Sequence, residues 1–188
     1  MIRATTPATI VKVGGALLNA PDAFAWALDQ LSRAPRDGTV LVVPGGGPFA
    51  DAVRAVDHRI GLTDSAAHWA AILGMNQYAL VLADLLPAAT VVETVYPTVY
   101  PPNDCLPTCL PILAPYTWLR CHDTLPHSWD VTSDSIAAHI ANSVGAKRLI
   151  LMKLATVTDP YFHQAAEVTE PGARLAHELV LPATEIQW

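Results

Sequence analysis

Apolar positions along the chain alternate between short solid runs and helical stripes. Residues 8–13 (ATIVKV) are a β-rich run that stops at Gly14-Gly15. After Pro21-Asp22, Phe24, Leu28 and Leu31 recur at the spacing of one helix face. Residues 39–43 are continuously apolar and close on Pro44-Gly45-Gly46-Gly47, which predicts a strand covered on both faces, as in a parallel sheet. Phe49, Val53, Val56 and Ile60 then mark one face of a helix, with Asp51, Arg54 and Asp57 largely outside it. Gly61-Leu62 breaks that helix, and Thr63 or Asp64 can cap the next. This next helix, about 65–86, is long and apolar, so it is expected inside the domain or against another subunit.

Between Pro87 and Pro126 lie half of the 16 prolines. Proline removes a backbone donor, so short edge strands, turns and rim loops are expected here, with 91–93 and 110–113 the best strands. Helical order returns at Ser133, where Ile136, Ile140 and Val144 run beside Ala137 and Ala141 until Gly145. Residues 149–152 predict another buried strand, and a late helix is expected near 172–179. Strands alternating with helices, without repeats, predict an α/β fold with a mainly parallel sheet.

Composition narrows the partners. A chain of 188 residues is expected to form a single domain, 1–188, and 52% hydrophobic against 15% charged residues excludes disorder. The net charge of −6 argues against a nucleic-acid partner. The apolar stretch from Trp69 to Leu86 is interrupted by Asn76, Gln77 and Asp84, which argues for a buried helix and against a membrane span. The first residues lack the apolar core of a signal peptide, and three cysteines without a CxxC pair predict free thiols. A cytoplasmic location is the expectation. So little charge on so apolar a chain also predicts a homo-oligomer, a dimer or higher.

Three places can carry chemistry. Lys12 with Gly14 and Gly15 puts a cation and approachable amides at a strand end, which suits phosphate; an ordinary glycine turn looks the same. Gly45, Gly46 and Gly47, between a strand and a helix, offer exposed amides at a helix start, though a loop shaped by packing also needs glycine. Neither turn is a GxGxxG or GxxxxGK[ST] loop. The third place is His127-Ser128-Trp129-Asp130-Val131-Thr132-Ser133-Asp134-Ser135. Thr132 or Ser133 can cap a helix there, and Asp134 can orient a lysine ammonium or help hold Mg²⁺ with phosphate oxygens. His122 and His127 have the wrong spacing for a helical zinc pair, and Asp64 with His68 fits a surface or capping pair.

VKVGGALL, VVPGGGPFADAVR and HSWDVTSDSIAAHIA, in this order, resemble the amino acid kinase superfamily. With GLTDSAAHWAAILGMNQYA, the nearer likeness is to its small branch containing the (aminomethyl)furanyl-methyl phosphate kinase of methanofuran biosynthesis, a one-carbon cofactor pathway. The likeness covers residues 8–153. It implies an open three-layer α/β/α sandwich and an ATP-dependent kinase using Mg²⁺ on a small alcohol or phosphate monoester, with no metal ligand assigned to the protein itself. It further implies that Lys12 stabilises the transferring phosphoryl group beside Gly14 and Gly15, and that Gly45, Gly46 and Gly47 line the acceptor side. Asp134 matches the aspartate that organises the active-site lysines, Thr132 and Ser133 flank it, and His127, Ser128 and Trp129 match the branch signature.

The sequence also departs from the family. Where relatives carry a TDVDG-like nucleotide loop, this chain reads Lys153-Leu154-Ala155-Thr156-Val157-Thr158-Asp159-Pro160. Residues 154–188 are expected to be a reduced remnant of the C-terminal nucleotide lobe, with Lys153 standing in for a second phosphate-binding lysine. The alternative function is therefore a non-catalytic kinase-fold protein that binds a phosphorylated small molecule or serves as an assembly subunit.

Overall fold

The apolar runs form one sheet. The computed structural model describes residues 7–37, 39–95, 109–154, 161–162 and 177–180, the last four by backbone alone. Its strands are β1 (Thr9–Val13), β2 (Val40–Pro44), β3 (Ala89–Val92), β4 (Leu110–Leu113), β5 (Arg148–Lys153) and β6 (His177–Val180). They lie in the order β3-β4-β2-β1-β5-β6, and every neighbouring pair is parallel. The helices are α1 (Pro21–Ser32), α2 (Gly47–Ile60), α3 (Asp64–Leu85), α4 (Tyr116–His122) and α5 (Ser133–Ser143), with a 3-10 turn at Gly15–Asn19.

Alternation along the central strands divides the core in two. Ile10, Leu41, Leu149 and Leu151 face a layer containing Trp118 and Leu119 of α4 and Ile136 and Ile140 of α5. Val11, Val42, Ile150 and Met152 face the opposite way, toward Ala27 and Leu31 of α1. Each Val, Leu, Ile or Met side chain among these, removed from water, contributes about 1.5–3 kcal/mol. The result is the expected α/β/α sandwich. The long helix α3 serves both cores, giving Ile72 and Met75 to the first and Tyr78, Ala79 and Leu82 to the second. Thr63 caps it, accepting from the Ala66 amide at 3.2 Å. No described helix is long and apolar enough to cross a membrane.

Several expectations change. The late helix is not found at 177–180, which pair with β5 as β6; residues 172–176 lie outside the described residues. The proline-rich stretch contains α4, because Pro115 sits at the helix N-cap, where a missing N–H costs nothing. Cys109 is disulfide-bonded, so the expectation of free thiols holds for exposed Cys121 and fails at Cys109. Ile60, expected on the apolar face of α2, ends that helix largely in solvent, 64% exposed. The remnant expected at 154–188 lies mostly outside the described residues.

The Tyr78 hydroxyl is fully buried without a hydrogen-bond partner among the described residues, and burial pushes its pKa upward. Leaving such a group unsatisfied costs about 1–3 kcal/mol. Tyr78→Phe is therefore expected to be neutral or to stabilise the protein by about 1 kcal/mol in urea unfolding. A loss of stability would show that the hydroxyl has a partner.

Candidate active site

The strand order places β1 between β2 and β5, so three strands end together at one edge of the sheet. Two lysines near those ends, Lys12 of β1 and Lys153 of β5, form the site's charged cluster. Lys12 lies opposite Val43 and Leu151, on the face that Ile10 presents to α5. Lys153, two positions beyond Leu151, follows the same face. Both ammoniums meet Asp134 at the start of α5. Lys12 Nζ is 2.5 Å from Oδ1, and Lys153 Nζ donates to Oδ2. The side chains of Lys12 and Asp134 are 5% and 6% exposed, so this is an interior ion cluster. Burial alone would raise the Asp134 pKa; attraction and hydrogen bonding from Lys12, then Lys153, outweigh it and hold the carboxyl below its ordinary value. Of the two roles open to Asp134, the geometry realises the orientation of lysines.

The two glycine turns press against each other. The Gly14 amide donates to the Met152 carbonyl at 2.7 Å, and the Gly45 amide to that of Val13 at 2.8 Å. A Cβ on Gly15 would sit 2.1 Å from the Gly47 nitrogen, so neither backbone has room for a side chain. Gly47 also has φ +52°, the left-handed region that glycine enters freely. A Cβ on Gly45 would come 3.1 Å from Ser133 Oγ, which puts the α5 N-terminus against the same turn. Thr132 is the N-cap, accepting from the Asp134 amide at 3.2 Å.

Lys12, Gly14, Gly15, Gly45, Gly46, Gly47, Thr132, Ser133, Asp134 and Lys153 are thus brought together. They do not share one exposure. Gly14, Gly15 and Gly45 are buried and serve close packing, whereas Gly46 and Gly47 line a cleft of about 150 Å³. Ser128, Trp129, Thr132 and Ser133 line it too, with Ile72, Met75 and Ile136 as an apolar wall and Asp51, Arg54 and Asp64 as charged lining. Trp129 is fixed by donating its Nε1–H to Asp57 at 2.7 Å, under the Arg54 guanidinium 4.5 Å from the ring centre. That bond, first among several, holds the Asp57 carboxyl below its ordinary pKa. Ser128 Oγ accepts from the Asp130 amide at 3.1 Å.

His127 is not among the cleft-lining residues; it stacks on His68. The expected pairing of His68 with Asp64 fails. Asp64 is exposed, while His68 is buried and bonded to Asp123 at 2.7 Å. The sequence pattern assigned His68 to a surface or capping pair with Asp64 and did not single out Asp123. The available signal was the spacing of four between Asp123 and His127, and a histidine on the buried face of an apolar helix.

The pattern of the amino acid kinase family matches residues 7–155. The [5-(aminomethyl)furan-3-yl]methyl phosphate kinase of Methanocaldococcus jannaschii is 28% identical over 142 residues, which are 76% of this chain and 63% of that protein. The crystal structure of a uridylate kinase from Archaeoglobus fulgidus superposes with a TM-score of 0.52 at 17% identity, over 78% of this chain and 63% of that one. That likeness is one of fold. The chain spans about 63% of the length of each relative.

A depressed carboxyl pKa fixes the sign of the pH response. The stability contributed by Asp134 is complete above its ordinary value of 3.8 and is lost as pH falls from there through the lower folded value. Asp134→Asn is expected to cost about 3 kcal/mol or more at neutral pH, since two lysines lose a buried partner. The gap from wild type should narrow below about pH 4. A pH-independent gap in chemical unfolding between pH 7 and pH 3 would overturn the assignment.

Proposed function

Because the chain belongs to the amino acid kinase family, we propose that it is a phosphotransferase, moving a phosphoryl group from ATP with Mg²⁺ to a small phosphate monoester or alcohol. The observation that carries this reading is Asp134 held between Lys12 and Lys153 at the carboxyl edge of the sheet. Two anchored cations, a glycine turn and two helix N-termini form a donor set suited to polyphosphate. No carboxylate of this cluster is left to ligate Mg²⁺, because both Asp134 oxygens face lysines. When bound, ATP with Mg²⁺ supplies the phosphoryl group and much of the charge neutralisation. The protein's part is placement: Lys12 meets negative charge that builds on the transferring group, Asp134 fixes both lysines, and Gly46 and Gly47 border the acceptor cleft.

A furan-type precursor in methanofuran or related one-carbon cofactor synthesis is the acceptor we favour. Support comes from the named activity of the Methanocaldococcus jannaschii relative and from a cleft with both an apolar wall and polar lining. A second reading, a non-catalytic kinase-fold protein that binds a phosphorylated small molecule or acts as an assembly subunit, draws on the departure at residues 153–160.

Lys12→Met tests the first reading. Methionine keeps the buried volume and removes the charge, so turnover should fall about a hundredfold, roughly 3 kcal/mol of transition-state stabilisation. Near-normal turnover in the folded variant would sink it. Calorimetry of the parent should show weak, Mg²⁺-dependent binding with little discrimination between ATP and GTP, because phosphate contacts are common to both. No binding of either triphosphate would favour the second reading.

We further propose a homodimer built on α3. Leu73 and Leu80, seven residues apart on the same face of the helix, are 45% and 62% exposed, and a second copy of this helix is the self-complementary cover. Light scattering should show a dimer that Leu80→Glu dissociates; a monomeric parent at micromolar concentration would contradict this.

A further inference from the structure

Three side chains at and beside the cleft stand apart from the Lys12–Asp134–Lys153 cluster. His68 on α3, Asp123 just after α4, and His127 in the loop before α5 each bring one ligand-type atom into one cluster. These atoms all lie within 4.8 Å of one another. Both histidines direct Nε2 to the same oxygen, Oδ2 of Asp123, at 2.7 Å from His68 and 3.5 Å from His127. From this geometry we propose that His68, Asp123 and His127 form a three-ligand site for a divalent transition metal of the zinc class, distinct from the Mg²⁺ that accompanies a nucleotide. The proposal does not depend on the phosphotransfer reading.

A hydrogen bond explains His68 and Asp123 but leaves His127 unexplained. At 3.5 Å its nitrogen is beyond the usual N–H···O length. Its ring lies parallel to that of His68, centres 4.1 Å apart and planes at 14°, so two imidazoles present the same edge to one carboxylate oxygen. With both Nε2 atoms unprotonated, this arrangement offers two nitrogen lone pairs and a carboxylate oxygen to one cation. Ligands bound at about 2.0–2.2 Å from zinc stand roughly 3–3.5 Å apart, so shifts under about 1 Å complete the site. Two imidazole nitrogens with one carboxylate select zinc, cobalt, iron(II) or manganese over Mg²⁺ and Ca²⁺, which take oxygen ligands.

The supports around these ligands are in place. The other carboxylate oxygen, Oδ1, accepts from the Leu125 amide at 3.0 Å, which turns Oδ2 toward the histidines. Trp69 sets its ring edge-on to both imidazoles, 5.1 Å from His68 and 5.4 Å from His127, with the Arg120 guanidinium 4.7 Å from the indole centre. Outer contacts of this kind fix ligand orientation and affinity. His68 and Asp123 have side chains only 5% and 4% exposed, while His127 is 31% exposed. Three protein ligands leave a position open, and His68 lines the cleft, so a water or a substrate oxygen there can fill it.

The test uses the full chain freed of metal by chelation, titrated with Zn²⁺ and Co²⁺ by calorimetry and visible absorption. One equivalent should bind with micromolar or tighter affinity in the presence of millimolar Mg²⁺. Co²⁺ should show d–d bands without thiolate charge transfer, and Cys121→Ser should change nothing. His127→Ala, at the most exposed ligand, and Asp123→Asn should each weaken binding about tenfold or more, with folding checked by circular dichroism. Absence of stoichiometric binding to the wild-type chain overturns the proposal, as does binding that survives both substitutions or is lost with Cys121.

Discussion

A buried carboxylate between two lysines is the interaction to which the rest of the site is fitted. Asp134 is 4% exposed, and an ion at such a position costs several kcal/mol unless paired. Pairing it requires β1 and β5 to be neighbours in one register, because only then do Lys12 and Lys153 emerge on the same face at the same edge. It also requires α5 to begin there, which the Thr132 cap secures. The parallel sheet is thus a scaffold for one charge arrangement. At that edge Lys153, the last residue of β5, supplies the second cation facing Asp134.

The glycines take on a different meaning beside that cluster. Glycine turns near a lysine suggest amides open to phosphate, yet Gly15 and Gly45 are buried and the backbones of Gly15 and Gly47 touch. Their lack of side chains lets two loops close on each other, which brings the α2 N-terminus to the strand that carries Lys12. Only Gly46 and Gly47 then reach the cleft. Packing and binding therefore share one motif, divided by residue.

Much of the fold was legible because burial on both sides leaves solid apolar runs: the prediction at 110–113 matches β4, and those at 149–152 and 39–43 fall within about one residue of β5 and β2. Thr63 and Thr132 were each visible as one of two adjacent cap candidates, and the structure selects them over Asp64 and Ser133. The proline-rich segment misled, since proline opposes a helix interior but tolerates its first turn, and Pro115 sits at that end of α4. The site was legible where its residues cluster in sequence, at Lys12 to Gly15, Gly45 to Gly47 and Thr132 to Asp134. It was illegible where long-range packing builds it. His68 and Asp123 are 55 positions apart and meet only because α3 and α4 pack together. The same holds for Trp129 and Asp57, separated by 72 positions.

The position of β1 at the centre of the sheet has a consequence for biosynthesis. One of its edges is covered early by β2, but its other neighbour, β5, begins only at Arg148. A chain emerging amino end first therefore carries an apolar strand with an unpaired edge until β5 has been made. Pairing between such distant segments is slow, and an open strand edge invites association with other nascent chains. Shielding of that edge in the nascent chain, by a holding chaperone for example, should therefore raise the yield of folded protein.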